Sequence, residues 1–217
     1  MKEAKNMRYY ENWEEWISIS RKQKTKDKLL FPRIVKKFKK GKILEIGAGV
    51  GQLSQYAKEL GYQVDSTDYE PKFVEYMTRI GLNAMVVDAT RIGEKLFDKY
   101  DTIFTQGVST LAGKDVEIIE ATYKSIYDTL VPGGRFIFIL ARGNKSRFSR
   151  LSEHKEIYKN VGFTELEVFR QQAFPSRLYG NKLIAWLESI LGPLLGIQDI
   201  AVLEKPIAKK SRGHKGN

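Results

Sequence analysis

Three glycines spaced two apart, Gly47, Gly49 and Gly51, close the apolar run Ile43-Leu44-Glu45-Ile46, and no other stretch restricts the fold as much. Glycine takes positive φ readily and lets a backbone come within reach of a ligand that a Cβ would hold off. The residues that follow, Gln52 to Leu60, put Leu53, Tyr56, Ala57 and Leu60 on one helical face. A strand, a glycine turn and a helix start in immediate succession set a nucleotide-like ligand at the carboxyl end of a parallel strand.

The glycine spacing discriminates between ligands. Dinucleotide-binding turns need G-x-G-x-x-G, whose third glycine packs helix against strand. Here that position is Gln52, the third glycine comes one residue early at Gly51, and Glu45 stands two residues before the first glycine. The pattern Glu45-Ile46-Gly47-Ala48-Gly49-Val50-Gly51 resembles motif I of the class I S-adenosylmethionine (SAM)-dependent methyltransferases. A glycine-rich turn with no ligand is the alternative on this motif alone.

Later positions extend the resemblance. Gln63 to Asp68 reads as a short second strand ending in a carboxylate, 17 residues after Gly51. That interval suits a carboxylate accepting bonds from ribose hydroxyls. Pro71 opens a helix with Phe73, Val74, Met77 and Ile80 at helical spacing, and a third strand, Ala84 to Val87, ends in Asp88-Ala89. Helix capping is the alternative for Asp68, ahead of Pro71, and for Asp88, ahead of Thr90 to Lys95. A fourth strand, Asp101 to Thr105, ends in Gln106-Gly107-Val108. A fifth, Arg135 to Leu140, follows Leu130-Val131-Pro132-Gly133-Gly134, in which Pro132 and Gly133 suit a tight turn.

The resemblance is close over about residues 40–140 and covers the remainder in outline. It implies a Rossmann-like α/β fold, a seven-stranded, mostly parallel sheet with helices on both faces, closed by an antiparallel pair at Phe163–Phe169 and Asp199–Glu204. It implies S-adenosyl-L-methionine as cofactor, with Asp68 on the ribose and the residues after the third strand on the adenine. Carried onto this chain, the cofactor-binding set is Glu45, Gly47, Ala48, Gly49, Gly51, Asp68, Tyr69, Asp88, Ala89, Gln106 and Gly107.

Composition removes other chemistries. The absence of cysteine excludes disulfides, thiolate metal sites and cysteine nucleophiles. It thereby disfavours methylation at pyrimidine C5, which usually needs a cysteine adduct. The two histidines, His154 and His214, make no metal cluster, so no metal is expected. No apolar run reaches the roughly 18 residues of a spanning helix, and no signal-peptide pattern opens the chain. The expected location is the cytoplasm.

The net charge of +11 sits at the ends. Residues 1–42 hold 14 Lys/Arg against 5 Asp/Glu, residues 205–217 hold 5 Lys/Arg and no acid, and the body between them is slightly acidic. The expected division is an N-terminal helical cap (1–40), a methyltransferase domain (41–206) with an apolar helical insertion at about 176–197, and a basic disordered tail (207–217). Solvated tail charge is one reading of the basic ends; nucleic acid or an anionic membrane surface are the others.

In the cap, Tyr9, Tyr10, Trp13 and Trp16 share a helical face, and Tyr9 and Tyr10 are candidates to lie near the sulfonium, whose charge favours an aromatic face. A helix docked on the sheet by that face is the alternative. A second helix, about Lys26 to Lys39, interleaves Leu29, Leu30, Ile34, Val35 and Phe38 with lysines. The loop Arg142 to Arg150 carries four positive charges beside the expected crevice, which makes Arg142 a candidate for an anionic acceptor; a solvated loop is the alternative. Within the insertion, Leu183, Ile184, Trp186, Leu187, Ile190, Leu191, Leu194 and Leu195 occupy more than one face, with Pro193 breaking the segment. So much apolar surface needs a cover, whether core, second subunit, lipid-like substrate or membrane.

The sulfonium of SAM is already activated, so the protein chiefly aligns an acceptor. No convincing general base is present; His154, read as a surface histidine, is the one weak candidate. Gln106, Gly107, Val108, Ser109 and Thr110 are placed to meet cofactor and acceptor, with Val108 and Ser109 as substrate contacts. Gln106-Gly107-Val108-Ser109 stands where DNA and glutamine amino-methyltransferases carry N/D-P-P-Y/F. The expected activity is methyl transfer to a small-molecule or glycan/lipid-type metabolite, anionic or lipid-linked, with oxygen as acceptor. An RNA methyltransferase, a NAD-binding oxidoreductase and a non-catalytic adaptor are the alternatives. Nucleic acid is the less favoured partner, and monomer and homodimer are both open.

Overall fold

The computed structural model describes residues 14, 17–18, 24–96, 99–113, 115–141, 151–175 and 178–207. Seven strands form one sheet: β1 (Ile43–Ile46), β2 (Val64–Asp68), β3 (Asn83–Val86), β4 (Tyr100–Gln106), β5 (Leu130–Ala141), β6 (Thr164–Gln171) and β7 (Gln198–Glu204). The order is β3-β2-β1-β4-β5-β7-β6, and β7 alone runs opposite in direction to the other six strands. The helices are α1 (Lys24–Val35), α2 (Gln52–Glu59), α3 (Pro71–Arg79), α4 (Ile92–Lys95), α5 (Ser109–Ala112), α6 (Val116–Thr129), α7 (Leu151–Val161) and α8 (Lys182–Leu195), with a 3-10 turn at Ala89–Arg91.

All four residues of β1 are buried, including Glu45, as expected of a central parallel strand covered on both sides. On one face α6 and α7 bring Ile119, Tyr123, Ile126 and Tyr158 against Phe136 and Phe138 of β5. Tyr123 meets both of those phenyl rings edge to face. On the other face α1 and α2 set Phe31, Ile34 and Leu53 against Phe104, Ile137 and Val202. Helices on both faces force the parallel connections of β1 to β5 to wind in two directions. The direction reverses between β1 and β4, which leaves a crevice at their carboxyl ends.

The structure departs from the sequence reading in three places. Pro132-Gly133 is no isolated turn: β5 starts at Leu130 and runs through it. Gly133 takes φ 76°, its N–H donates to Lys205 O at 2.7 Å, and the register with β4 shifts between Tyr100 and Thr102. The glycine absorbs an irregularity in the strand instead of reversing it. Pro193 does not break the apolar insertion, because it falls in the last turn of α8, which ends at Leu195. His154 is not on the surface. It is fully buried, with Nδ1 3.2 Å from the Tyr123 hydroxyl and its ring tilted against Phe138, so the aromatic core absorbs it.

Candidate cofactor site

The crevice is built from the turn after β1 and the ends of β2, β3 and β4. Gly47, Gly49 and Gly51 all take positive φ, at 64°, 57° and 69°, but for different reasons. A Cβ on Gly47 would stand 2.8 Å from Val108 Cγ2, and one on Gly51 would stand 2.5 Å from Leu82 Cδ1, so packing requires both glycines. A Cβ on Gly49 would meet nothing within 4 Å. The same is true of Gly107, at φ 73° just past β4. Two left-handed glycines therefore face open space at adjacent strand ends, a cradle that side chains would narrow.

Asp68 ends β2 and locks this turn. Its Oδ2 accepts the Gly49 N–H at 2.8 Å and its Oδ1 accepts the Glu70 N–H at 2.9 Å. It does not cap α3; Glu70 does, accepting from Lys72 N. Burial pushes the Asp68 carboxyl above its usual range, against the pull of the backbone N–H groups of Glu70, Gly49 and Tyr69. Tyr69 beside it is exposed. Asp88 caps the 3-10 turn, accepting Thr90 N–H and hydroxyl at 2.9 and 2.8 Å, and so brings the buried Ala89 to the same edge. The Ala48 N–H donates to Thr67 O at 2.9 Å, tying the glycine turn to β2.

Glu45 points away from the open edge. Its Oε2 accepts the Ser54 N–H at 3.1 Å and the Ser54 hydroxyl, and Ser66 donates onward to Ser54 at 2.8 Å. Gly51 offers α2 no side-chain cap, so Glu45 supplies one from the preceding strand. Burial raises the Glu45 carboxyl to about 8, opposed by both Ser54 bonds and reinforced by the nearby Asp68 charge.

Gln106, Gly107 and Ser109 are exposed at the end of β4, while Val108 is buried against Gly47. His154 is fully buried against Tyr123 and Phe138 and presents no surface to the crevice. Tyr9, Tyr10 and Arg142 lie outside the described residues, as do residues 208–217 of the basic tail.

Sequence reasoning passed over Ser54, Ser66, Thr67 and Thr105. Thr67 and Thr105 hydroxyls donate to the β1 carbonyls of Glu45 and Ile46, at 2.9 and 2.7 Å, from the two neighbouring strands. The available signal was a hydroxyl residue next to the last position of each neighbouring strand, Thr67 in β2 and Thr105 in β4.

Strand order, glycine turn and terminal carboxylate together define a class I methyltransferase fold. Residues 44–138 match the family model described as a methyltransferase domain. No curated protein matches the chain in sequence. Several solved structures match in fold. One is a glycopeptide N-methyltransferase, MtfA, complexed with SAM (14% identity, 81% of this chain and 86% of that one, TM-score 0.63). Another is magnesium protoporphyrin IX methyltransferase from Synechocystis with bound SAM (16%, 89% and 84%, TM-score 0.59). A third is a SAM-dependent methyltransferase from Archaeoglobus fulgidus (16%, 80% and 90%, TM-score 0.61). Residues 44–138 thus carry a methyltransferase domain, set in a fold shared with solved SAM-dependent methyltransferases.

Proposed function

We propose that the crevice holds SAM and that the chain directs its methyl group to a small-molecule or glycan/lipid-type metabolite, with oxygen as the acceptor atom. The observation that carries the cofactor placement is the pair Gly49 and Gly107, left-handed and facing open space at the switch point of the sheet. SAM supplies a methyl group activated by its sulfonium. Asp68 accepts from the ribose hydroxyls and holds Gly49 in place. Gly47, Ala48, Gly49 and Gly51 shape the approach, Ala89 and Tyr69 flank the base, and Asp88 positions that flank. Glu45 is a positioning residue, acting through Ser54 on the first turn of α2.

Gln106, Gly107, Val108 and Ser109 form the acceptor side. Alignment for in-line displacement provides the rate, since effective molarities of well-oriented reactants can lower a barrier by about 7–11 kcal/mol. The lack of an N/D-P-P-Y/F sequence at this strand end favours oxygen over an exocyclic amine. Nitrogen is the second reading, favoured by the fold similarity to a glycopeptide N-methyltransferase.

The test is incubation with methyl-labelled SAM and a panel of glycan, lipid and quinone-type acceptors together with RNA, followed by mass spectrometry of the products. Label on an oxygen of one class supports the proposal. Label only on nitrogen assigns the second reading, and label only on RNA refutes both.

A further inference from the structure

The outer face of α8 is not used by the cofactor site. Leu183, Trp186, Ile190 and Leu194 recur at helical spacing along it, and they are 59%, 59%, 48% and 66% exposed. Helix residues of this size at such exposure make a continuous apolar stripe, which water solvates poorly. The only charged residues of the helix are Lys182 and Glu188. Glu188 is turned inward, where it accepts the Gln172 and Ala173 N–H groups at 2.7 and 2.8 Å and the Tyr179 hydroxyl at 2.7 Å. The stripe therefore carries no acid.

Cations border it. Arg33, Lys36, Lys37 and Arg170 line a groove of about 330 Å³ between α1, β6 and α8, with Glu167 the one acidic residue in its lining. Arg33 is anchored from beneath by Glu188 and Arg170 by Asp199, both buried acids, while Lys37 pairs with Glu167. Lys36 and Lys182 are exposed. Counting those three acids against the five cations leaves two positive charges at the rim, within a chain of net charge +11.

We propose that this face docks on an anionic lipid bilayer, α8 lying in the headgroup plane with Trp186 in its second turn. An apolar stripe without acids, an indole on that stripe and a basic rim are what an interfacial helix requires. At 14 residues α8 is too short to span a bilayer, so it lies on the surface. Charge decides against a second copy of this chain. An antiparallel twofold contact centred on α8 would set Lys182 of each copy near the Arg170 end of the other's helix, like charge against like. The helix ends at the sheet edge that carries the crevice, because Gln198, just beyond it, pairs with Ala141 at the carboxyl end of β5. Docking thus brings the acceptor side of the crevice towards the lipid surface.

The test is flotation of the full chain with phosphatidylcholine vesicles, with and without phosphatidylglycerol. Sedimentation without vesicles runs alongside. The proposal expects binding to the anionic vesicles that weakens with salt. Trp186→Glu with Ile190→Glu should lower that binding by about tenfold or more. Lys36→Gln with Lys182→Gln should lower it by about fivefold per lysine. S-adenosylhomocysteine binding and the unfolding midpoint should be unchanged in both, which keeps the result independent of the acceptor reading. No vesicle binding, or binding indifferent to the Trp186 and Ile190 changes, overturns the proposal. A concentration-dependent dimer dissolved by those same changes also overturns it, and assigns the face to a second copy.

Discussion

Gly49→Ala should separate folding from ligand binding. At φ 57° an alanine pays for the left-handed conformation, about 1–2 kcal/mol, and nothing else, because its methyl would meet no atom within 4 Å. In a chain of this size that lowers the thermal midpoint by roughly 2–8 °C. Gly51→Ala has the same backbone cost at φ 69°, and its methyl would also press on Leu82 Cδ1 at 2.5 Å and Met77 Cγ at 3.0 Å. Overpacking of that kind adds about 1–3 kcal/mol. Ligand response should rank the other way. S-adenosylhomocysteine at 100 times its dissociation constant stabilises the wild type by about 2.7 kcal/mol. A tenfold loss of affinity in Gly49→Ala removes about 1.4 kcal/mol of that. Gly51→Ala, once folded, should keep most of it. The assay is thermal unfolding with and without S-adenosylhomocysteine for the three proteins. A full ligand shift in Gly49→Ala would refute the placement of the ligand against this turn.

Asp68→Ala should weaken SAM binding by one to two orders of magnitude, since a hydrogen bond to a charged group contributes about 1.5–3 kcal/mol; calorimetric affinity equal to wild type would leave Asp68 only its role in holding Gly49 and Glu70. Glu45 carries a raised folded pKa, about 8 against an ordinary 4.5, so the native state holds the extra proton between those values. Stability then falls as pH rises through that window, by at most about 1.4 kcal/mol per pH unit. Urea unfolding of Glu45→Gln between pH 5 and 8 should show a flatter dependence than wild type, and identical slopes would sink this reading. Glu188→Ala should cost about 3–5 kcal/mol in urea unfolding, because it strands two backbone N–H groups, the Tyr179 hydroxyl and the Arg33 guanidinium. A cost below 1 kcal/mol would show that water replaces the carboxylate.

The glycine turn, the four parallel strands around it and the terminal Asp68 were legible because each is encoded locally. An apolar run, φ-permissive residues and a carboxylate fall within about 25 residues of one another. What was illegible depends on distant partners. Nothing near Glu188 announces that it will meet Arg33, 155 positions away, or close over a left-handed Gln172. His154 has surface-like neighbours in sequence, and only the packing of α6 and α7 on β5 buries it. The inward turn of Glu45 was likewise hidden, since a motif names the residue and leaves the direction of its side chain to the Ser54 that receives it. Pro132-Gly133 misled for a related reason: a turn-forming pair is compatible with a strand irregularity once Lys205 is there to pair with it.

Calorimetric titration of the protein with SAM, S-adenosylhomocysteine and NADH side by side tests the cofactor assignment most directly. Saturable binding of both adenosyl ligands, with no heat from NADH, is the predicted result. Binding of NADH alone would contradict it, because the one-residue displacement of the third glycine to Gly51 would then have failed to exclude a dinucleotide.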